Sequence, residues 1–422
     1  PTIMRANGLG GTLRSLTRRA AQFLSPRVRV LRGCHSVAPS GSTTAAIHAD
    51  ALQGSQAFST VHDVSPPLSL SSTFTSVEGG HVYSRISSPT RERAEALLGA
   101  IEGTPGQPAH AVLYSSGLAA SFAVLARLLP KRVAIQGGYH GTHQVLSQLQ
   151  RISGGTACEA VPLPAPADVG QLHFGDVIWL ETPRNPGCEV SDIAAYVAAA
   201  RTAGGVRVVV DSTFAPPPVQ RPLACGADVV MHSTTKYMAG HSDAIGGALC
   251  VADGDLAHEL RVDRASLGSV PGSLEPWLLL RSLRTLHLRV RQQCETAAQL
   301  AAWLQRAAVG EAGHPLRGLI VSVSHPSLPS HPAHDVATRQ MTGGFGGCFA
   351  VELASEASAR ALPAELELFR DATSLGGVES LIEWRRKYDA AVSPLLLRVS
   401  VGLEEMEHLR TDLQRAILKV SQ

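Results

Sequence analysis

Between about Val112 and Leu249 the apolar positions fall into short runs separated by stretches of helical period. Ala111–Tyr114, Arg132–Gln136, Asp176–Glu181, Val206–Val210, Asp228–His232 and Gly247–Val251 have strand length and are largely apolar. Strands buried on both faces lose the apolar–polar alternation of half-exposed strands. Leu118–Leu129 and Ser191–Thr202 read as helices between them, the second stopped by Gly204 and Gly205. Such alternation predicts a mostly parallel sheet with helices on both faces. The period changes near Gly272. Trp277, Leu280, Leu283, Leu286 and Val290 then recur at helical spacing in a stretch that runs to Val309, with arginines on much of the other face. Beyond Leu319 the elements are mixed. Leu319–Val323, Cys348–Leu353 and Leu395–Val401 read as strands, Ser355–Leu362 as a helix broken or restarted at Pro363, and Glu405–Val420 as a closing helix. The expectation is an α/β chain with a large sheet domain over 96–270 and a linker helix plus smaller α+β domain over 271–422.

Residues 1–44 differ from this body. Arg5, Arg14, Arg18, Arg19, Arg27, Arg29 and Arg32 are basic, and no acid precedes Asp50. Leu13, Leu16, Ala20, Phe23 and Leu24 line one side of a helical wheel, with Arg14 and Arg18 on another. The composition suits a mitochondrial or plastid transit peptide. It also suits a basic tail without an address, in which case the chain is expected in the cytoplasm. A net charge of +2 offers no reason to expect a nucleic-acid partner. No apolar run reaches the roughly 18 residues of a membrane span, so none is expected. The seven cysteines are scattered and never form a CxxC pair. Buried free thiols in a reducing compartment are expected, rather than a disulfide framework or a zinc site. The histidines, His140, His143, His232 and His241 among them, show no metal-ligand spacing, and no metal is expected.

Three segments carry candidate chemistry. The apolar run Val208–Val210 ends at Asp211, which places a carboxylate at the carboxyl edge of the sheet, where open α/β sheets bind ligands. That carboxylate could hold a heterocyclic nitrogen protonated, or simply cap the next turn. After the next strand comes Ser233-Thr-Thr-Lys236, with hydroxyls suited to phosphate beside an amine suited to imine chemistry if its pKa is lowered. A solvated lysine is the alternative. Ser115-Ser-Gly117-Leu118 opens a helix whose first N–H groups can receive an anion.

Taken together these segments resemble the Cys/Met-metabolism family of pyridoxal-phosphate (PLP) enzymes, whose members include cystathionine γ-synthase and cystathionine γ-lyase. The resemblance spans roughly residues 45–420. It rests on Asp211-Ser-Thr-Phe, Ser233-Thr-Thr-Lys-Tyr, Gly240-His-Ser-Asp, Ser71-Ser-Thr-Phe, Tyr83-Ser-Arg, Ser115-Ser-Gly-Leu-Ala-Ala, Glu181-Thr-Pro-Arg-Asn-Pro, Ser374-Leu-Gly-Gly-Val-Glu-Ser and Arg398-Val-Ser-Val-Gly-Leu-Glu. It implies the fold of type I PLP-dependent aminotransferases, with a seven-stranded sheet. It implies that Lys236 is the Schiff-base lysine and proton shuttle, and that Asp211 is the partner of the ring nitrogen. Gly117, Leu118, Ser233 and Thr235 would cradle the phosphate. Tyr139 would stack on the ring and assist the leaving group. Asn185, Ser374 and Arg398 would hold the substrate α-carboxylate. Tyr83 and Arg85 would reach the phosphate in a neighbouring subunit, so that residues 45–95 form an arm and the assembly is a homotetramer of dimers sharing active sites.

The implied function is β/γ-elimination or γ-replacement on cystathionine or an O-acylhomoserine. Departures keep other readings open. Gln144 stands where many cystathionine-handling members carry an arginine for the distal carboxylate. Thr373 stands where synthases and γ-lyases often have Glu. Gly141 replaces the Cys of methionine γ-lyases, and Ser88-Pro89-Thr90 replaces Asn-Pro-Thr. After Ser380, many members run on to a His-containing stretch, whereas this chain reads Leu381-Ile-Glu-Trp-Arg-Arg-Lys387. These changes leave room for γ-replacement with a non-thiol nucleophile, or for a PLP-binding protein without turnover.

Overall fold

The computed structural model describes residues 41, 43–48, 64–75 and 80–422. Residues 1–40, which hold the arginines of the basic segment, its transit-peptide reading and Cys34, lie outside the described residues. The large sheet contains β1 (His110–Tyr114), β2 (Arg132–Ile135), β3 (Glu159–Pro162), β4 (Val177–Glu181), β5 (Arg207–Asp211), β6 (Val229–His232) and β7 (Gly247–Val251). Their order is β1-β7-β6-β5-β4-β2-β3. All pairings are parallel except those of β7, which runs against both its neighbours.

Apart from the exposed edge strand β3, the strands are largely apolar because both faces are covered. Val177, Trp179, Val209, Val229 and Met231 pack with Ala120, Val124, Val145 and Leu146 from the helices Gly117–Leu128 and His140–Ile152. On the opposite face Ile178, Leu180, Val208 and Val210 meet Ile193, Tyr196, Val197 and Ala200 from the helix Ile193–Ala203. Each buried Val, Leu, Ile or Met among them stabilises the fold by roughly 1.5–3 kcal/mol relative to exposure.

The second sheet holds β8 (Ile320–Ser324), β9 (Cys348–Leu353), β10 (Arg370–Asp371), β11 (Leu381–Trp384) and β12 (Leu396–Ser400), in the order β10-β11-β12-β9-β8. Ile382, Leu397, Val399, Phe349 and Val351 bury one face against helices Glu356–Glu365, Met406–Val420 and the end of Leu286–Ala308. Successive strand residues point to opposite faces, so Glu383 and Arg398, paired across β11 and β12, face away from that core. Helix Leu286–Ala308 joins the two cores. Leu286, Val290 and Cys294 pack with the large-domain residues Leu223 and Met238. Ala297, Leu300, Ala301 and Leu304 belong to the C-terminal core. Between these halves buried Gln293 donates to Gly377 O at 2.7 Å and to Val401 O at 3.2 Å.

Some details depart from the pattern reading. The helical stretch over 272–309 is two helices, Leu274–Leu283 and Leu286–Ala308. Trp277 is not in the core; its indole N–H donates to Pro66 O at 2.9 Å and pins the N-terminal segment. Helix Glu356–Glu365 runs through Pro363. Proline removes one backbone donor in the final turn, while Ala359 and Leu362 stay packed in the C-terminal core. Helices Pro89–Glu102 and Gly254–Leu267 were not anticipated; both are rich in charge and weakly amphipathic. No helix among the described residues is long and apolar enough to cross a membrane.

Candidate active site

Because β7 runs antiparallel to both β1 and β6, the carboxyl ends of β1, β2, β4, β5 and β6 share one edge of the large sheet. Each delivers a segment with candidate chemistry. After β1, Ser116 caps the helix Gly117–Leu128, its hydroxyl accepting from Ala119 N at 3.1 Å. The first N–H groups of that helix have no partner within it. The turn is pressed tightly onto its neighbours. A Cβ on Gly117 would lie 3.0 Å from Ser233 Cβ, and one on Gly247 would lie 2.1 Å from Ser116 O. The segment after β6 therefore brings Ser233 against Gly117. Thr235 Oγ1 lies 3.3 Å from Gly246 O and accepts from Gly246 N at 3.0 Å, so it ties down the Gly-rich return beside Ser233.

Asp211 ends β5 and is buried. It accepts from Thr213 N at 3.0 Å, and Thr213 Oγ1 accepts from Ser233 N at 2.9 Å, which stitches the two strand ends together. Burial pushes the Asp211 carboxyl above its ordinary range; the Thr213 hydrogen bonds and His232 oppose this. His232, at the end of β6, is itself buried against the carboxylate of Glu102. Beside Asp211, in register on β4, stands Glu181. It accepts from Tyr139 N at 2.6 Å and from Asn185 N at 2.8 Å. Desolvation and the neighbouring Asp211 push Glu181 to about 8.

Lys236 Nζ donates to Ser374 Oγ at 2.9 Å. Burial, and then the charge of Arg398, lower its pKa, with Glu383 and Cys348 opposing. A desolvated amine with a lowered pKa is the form of lysine that acts as nucleophile and base. Ser374 has a φ of +104°, a conformation disfavoured for a residue with a Cβ. In that conformation its carbonyl accepts from Arg398 Nη2 at 2.7 Å while its hydroxyl holds Lys236. Arg398 Nη1 donates to Asn185 Oδ1 at 3.1 Å. Arg398 Nη2 also meets Glu383 Oε2 at 2.7 Å.

The structure thus brings together Gly117, Leu118, Tyr139, Asn185, Asp211, Ser233, Lys236, Ser374 and Arg398. The ring of Tyr139 reaches toward Leu118, since a Cβ on Gly141 would touch Tyr139 Cε1 at 2.5 Å and Leu118 Cδ2 at 2.8 Å. Tyr83 and Arg85 stand apart. Both are exposed. Arg85 Cζ lies 5.3 Å from the Tyr83 ring centroid and its Nη1 donates to Ala265 O at 3.3 Å.

The profile of a family described as Cys/Met metabolism PLP-dependent enzyme matches residues 43–418. The chain belongs to this family. A cystathionine gamma-synthase of Mycobacterium tuberculosis is 37% identical over 405 residues, covering 90% of this chain and 97% of the relative. A cystathionine gamma-lyase of Bacillus subtilis is 34% identical over 354 residues, covering 80% and 89%. The crystal structure of cystathionine gamma-lyase from yeast matches with a TM-score of 0.79 at 31% identity, covering 90% of this chain and 98% of that one.

The residues of this PLP enzyme fit its cofactor. A buried Asp211 whose charge is disfavoured by desolvation gains from a cationic ring nitrogen placed beside it. The Gly117 turn has the close backbone approach and free N–H groups that a phosphate needs, with Ser233 in contact. Lys236 offers the amine. Glu181, Thr213, Glu383 and Arg385 also belong to the site or its support, and sequence reasoning gave them no role. For Glu181 a signal was present: it ends β4 as Asp211 ends β5. Glu383 becomes visible only through the register of β11 on β12.

Proposed function

We propose that this PLP enzyme carries out β/γ-elimination or γ-replacement on a sulfur-containing or homoserine-derived amino acid, of the cystathionine or O-acylhomoserine type. The observation that carries the reading is the hydrogen-bonded chain Lys236–Ser374–Arg398–Asn185. It sets a lowered-pKa amine and a guanidinium on one serine, as an amino acid's Cα–H and carboxylate require.

PLP, when bound, supplies an electron sink for the charge that develops at the substrate's Cα. The chain's own groups do the rest. Arg398 and Asn185 bind and orient the α-carboxylate, a task suited to the guanidinium fork. Lys236 Nζ removes the Cα proton and returns it at a later step. Asp211 would pair with the ring nitrogen and hold its proton. Tyr139 would cover the ring and assist the leaving group. Ser233 and Thr235, with the N–H groups of Gly117 and Leu118, would hold the phosphate. Relatives named as synthase and as lyase both match, and the proposal spans both outcomes.

The test is product analysis by mass spectrometry with cystathionine, O-acetylhomoserine and O-succinylhomoserine, each with and without cysteine. A 2-oxo acid with ammonia, or a new thioether, is expected. Absence of turnover with every substrate, on protein shown to carry PLP, would overturn the reading. Two finer points belong to the proposal. The exposed Tyr83–Arg85 pair completes a neighbouring subunit's site in a homotetramer, which sedimentation and activity of mixed Arg85→Ala and Lys236→Ala assemblies check. The basic segment 1–44 directs the chain to a mitochondrion or plastid, which imaging of a fusion protein checks.

A further inference from the structure

Arg398 does not face the substrate site alone. Glu383 Oε2 lies 2.7 Å from Arg398 Nη2 and 2.8 Å from Arg385 Nη1. One carboxylate oxygen is shared by two guanidinium groups. The side chains of all three residues are more than nine-tenths buried. Arg398 Nε, Arg385 Nε and Glu383 Oε1 have no hydrogen-bond partner among the described residues. Strand geometry explains the grouping. Glu383 and Arg398 are register partners on the sheet face turned away from the C-terminal core. Arg385, two residues beyond Glu383, keeps to the same side, while Ile382 and Trp384 pack on the core side.

The charges decide what this triad does. A Glu383–Arg398 pair alone would be neutral, and the carboxylate of an incoming amino acid would compete with Glu383 for the same guanidinium. A second buried cation on Glu383 changes that balance. Two guanidinium groups against one carboxylate leave a single positive charge, which one substrate carboxylate neutralises. We infer that Arg385 is a positioning residue that offsets Glu383, so that Glu383 fixes the orientation of Arg398 without cancelling its attraction for the substrate carboxylate. The segment that supplies Arg385 is the one in which this chain departs from the His-containing stretch of many family members. The inference rests on the reading of Arg398 as the carboxylate group, and the test separates the two.

The experiment measures glycine binding to the PLP-loaded enzyme by isothermal titration calorimetry, with thermal unfolding as a fold check. Glycine offers the α-carboxylate and amine with no side chain to confuse the result. Arg398→Ala should abolish binding; unchanged binding there would overturn the reading of Arg398 itself. Arg385→Met should weaken binding by about tenfold or more, because Glu383 then competes unopposed. The double variant E383Q/R385M removes both charges and should recover to within about threefold of the wild type, a non-additivity expected of coupled neighbours. Arg385→Lys, which keeps the charge, should retain most of the affinity. Should Arg385→Met not fold, Arg385→Gln carries the same comparison. A charge-neutral variant at 385 with wild-type affinity, or a double variant as weak as the single one, would overturn the inference.

Discussion

Glu181 offers the sharpest test of how the site is held. Its two oxygens accept separate backbone donors, Tyr139 N at 2.6 Å and Asn185 N at 2.8 Å. One carboxyl group thereby fixes two loops, one bearing Tyr139, which we propose covers the ring, and the other the amide that meets Arg398. Above about pH 8, where Glu181 carries its charge and both oxygens accept, Glu181→Gln keeps shape and volume but leaves a single acceptor oxygen. One N–H then faces an amide NH2 group. A fully buried unsatisfied donor costs about 1–3 kcal/mol; the Tyr139 N–H is exposed and the Asn185 N–H part-buried, so the loss falls at the low end, roughly 5-fold in kcat/KM for about 1 kcal/mol. The split between parameters reports which loop is released. Loss at Tyr139 lowers kcat, and loss at Asn185 raises KM. The variant carries a second signature in pH. Burial and Asp211 raise Glu181 from 4.5 to about 8, so its contribution to stability is complete below 4.5 and is lost as pH rises through about 8. Denaturant titrations of the apoprotein across that window should show wild-type stability falling with pH, and Glu181→Gln should flatten the fall. Wild-type kcat and KM together with an unchanged pH slope would refute the argument.

Further outcomes follow from the same geometry. Lys236→Ala should abolish turnover and the borohydride-reducible link to the cofactor, as read by absorbance; residual activity near wild type would contradict its role. Ser374→Gly relieves a φ of +104° while Ser374→Ala does not, and both remove the hydroxyl that holds Lys236. Both should lose turnover, and the glycine variant should unfold at the higher temperature, by about 1 kcal/mol of stability; equal melting temperatures would contradict the strain. Gln144 is exposed on the helix after Tyr139, and Gln144→Arg should raise kcat/KM for substrates with a distal carboxylate relative to O-acetylhomoserine; an unchanged ratio would contradict the family-based reading of that position.

Much of this architecture was legible in the chain itself. Runs such as Val208–Val210 lack alternation because helices cover both sheet faces, and that same feature made them recognisable as inner strands. Asp211 was found because a carboxylate abruptly ends such a run. β11 was missed for the opposite reason: Leu381, Ile382 and Glu383 are all buried, so no period separates its faces. Charge-rich helices such as Pro89–Glu102 hide their buried face, as Arg91, Glu95 and Glu102 lie inside among ion pairs. A start signal was nevertheless present, in Ser88 as cap and Pro89 at the first turn. The Glu383–Arg385–Arg398 triad depends on strand register, which spacing along the chain does not encode.

The central claim is that Lys236 is the amine that carries PLP in this enzyme. Borohydride reduction of the holoenzyme followed by peptide mapping tests it directly. The account predicts a pyridoxyl label on Lys236. A label on Lys131, Lys387 or Lys419 instead would contradict it.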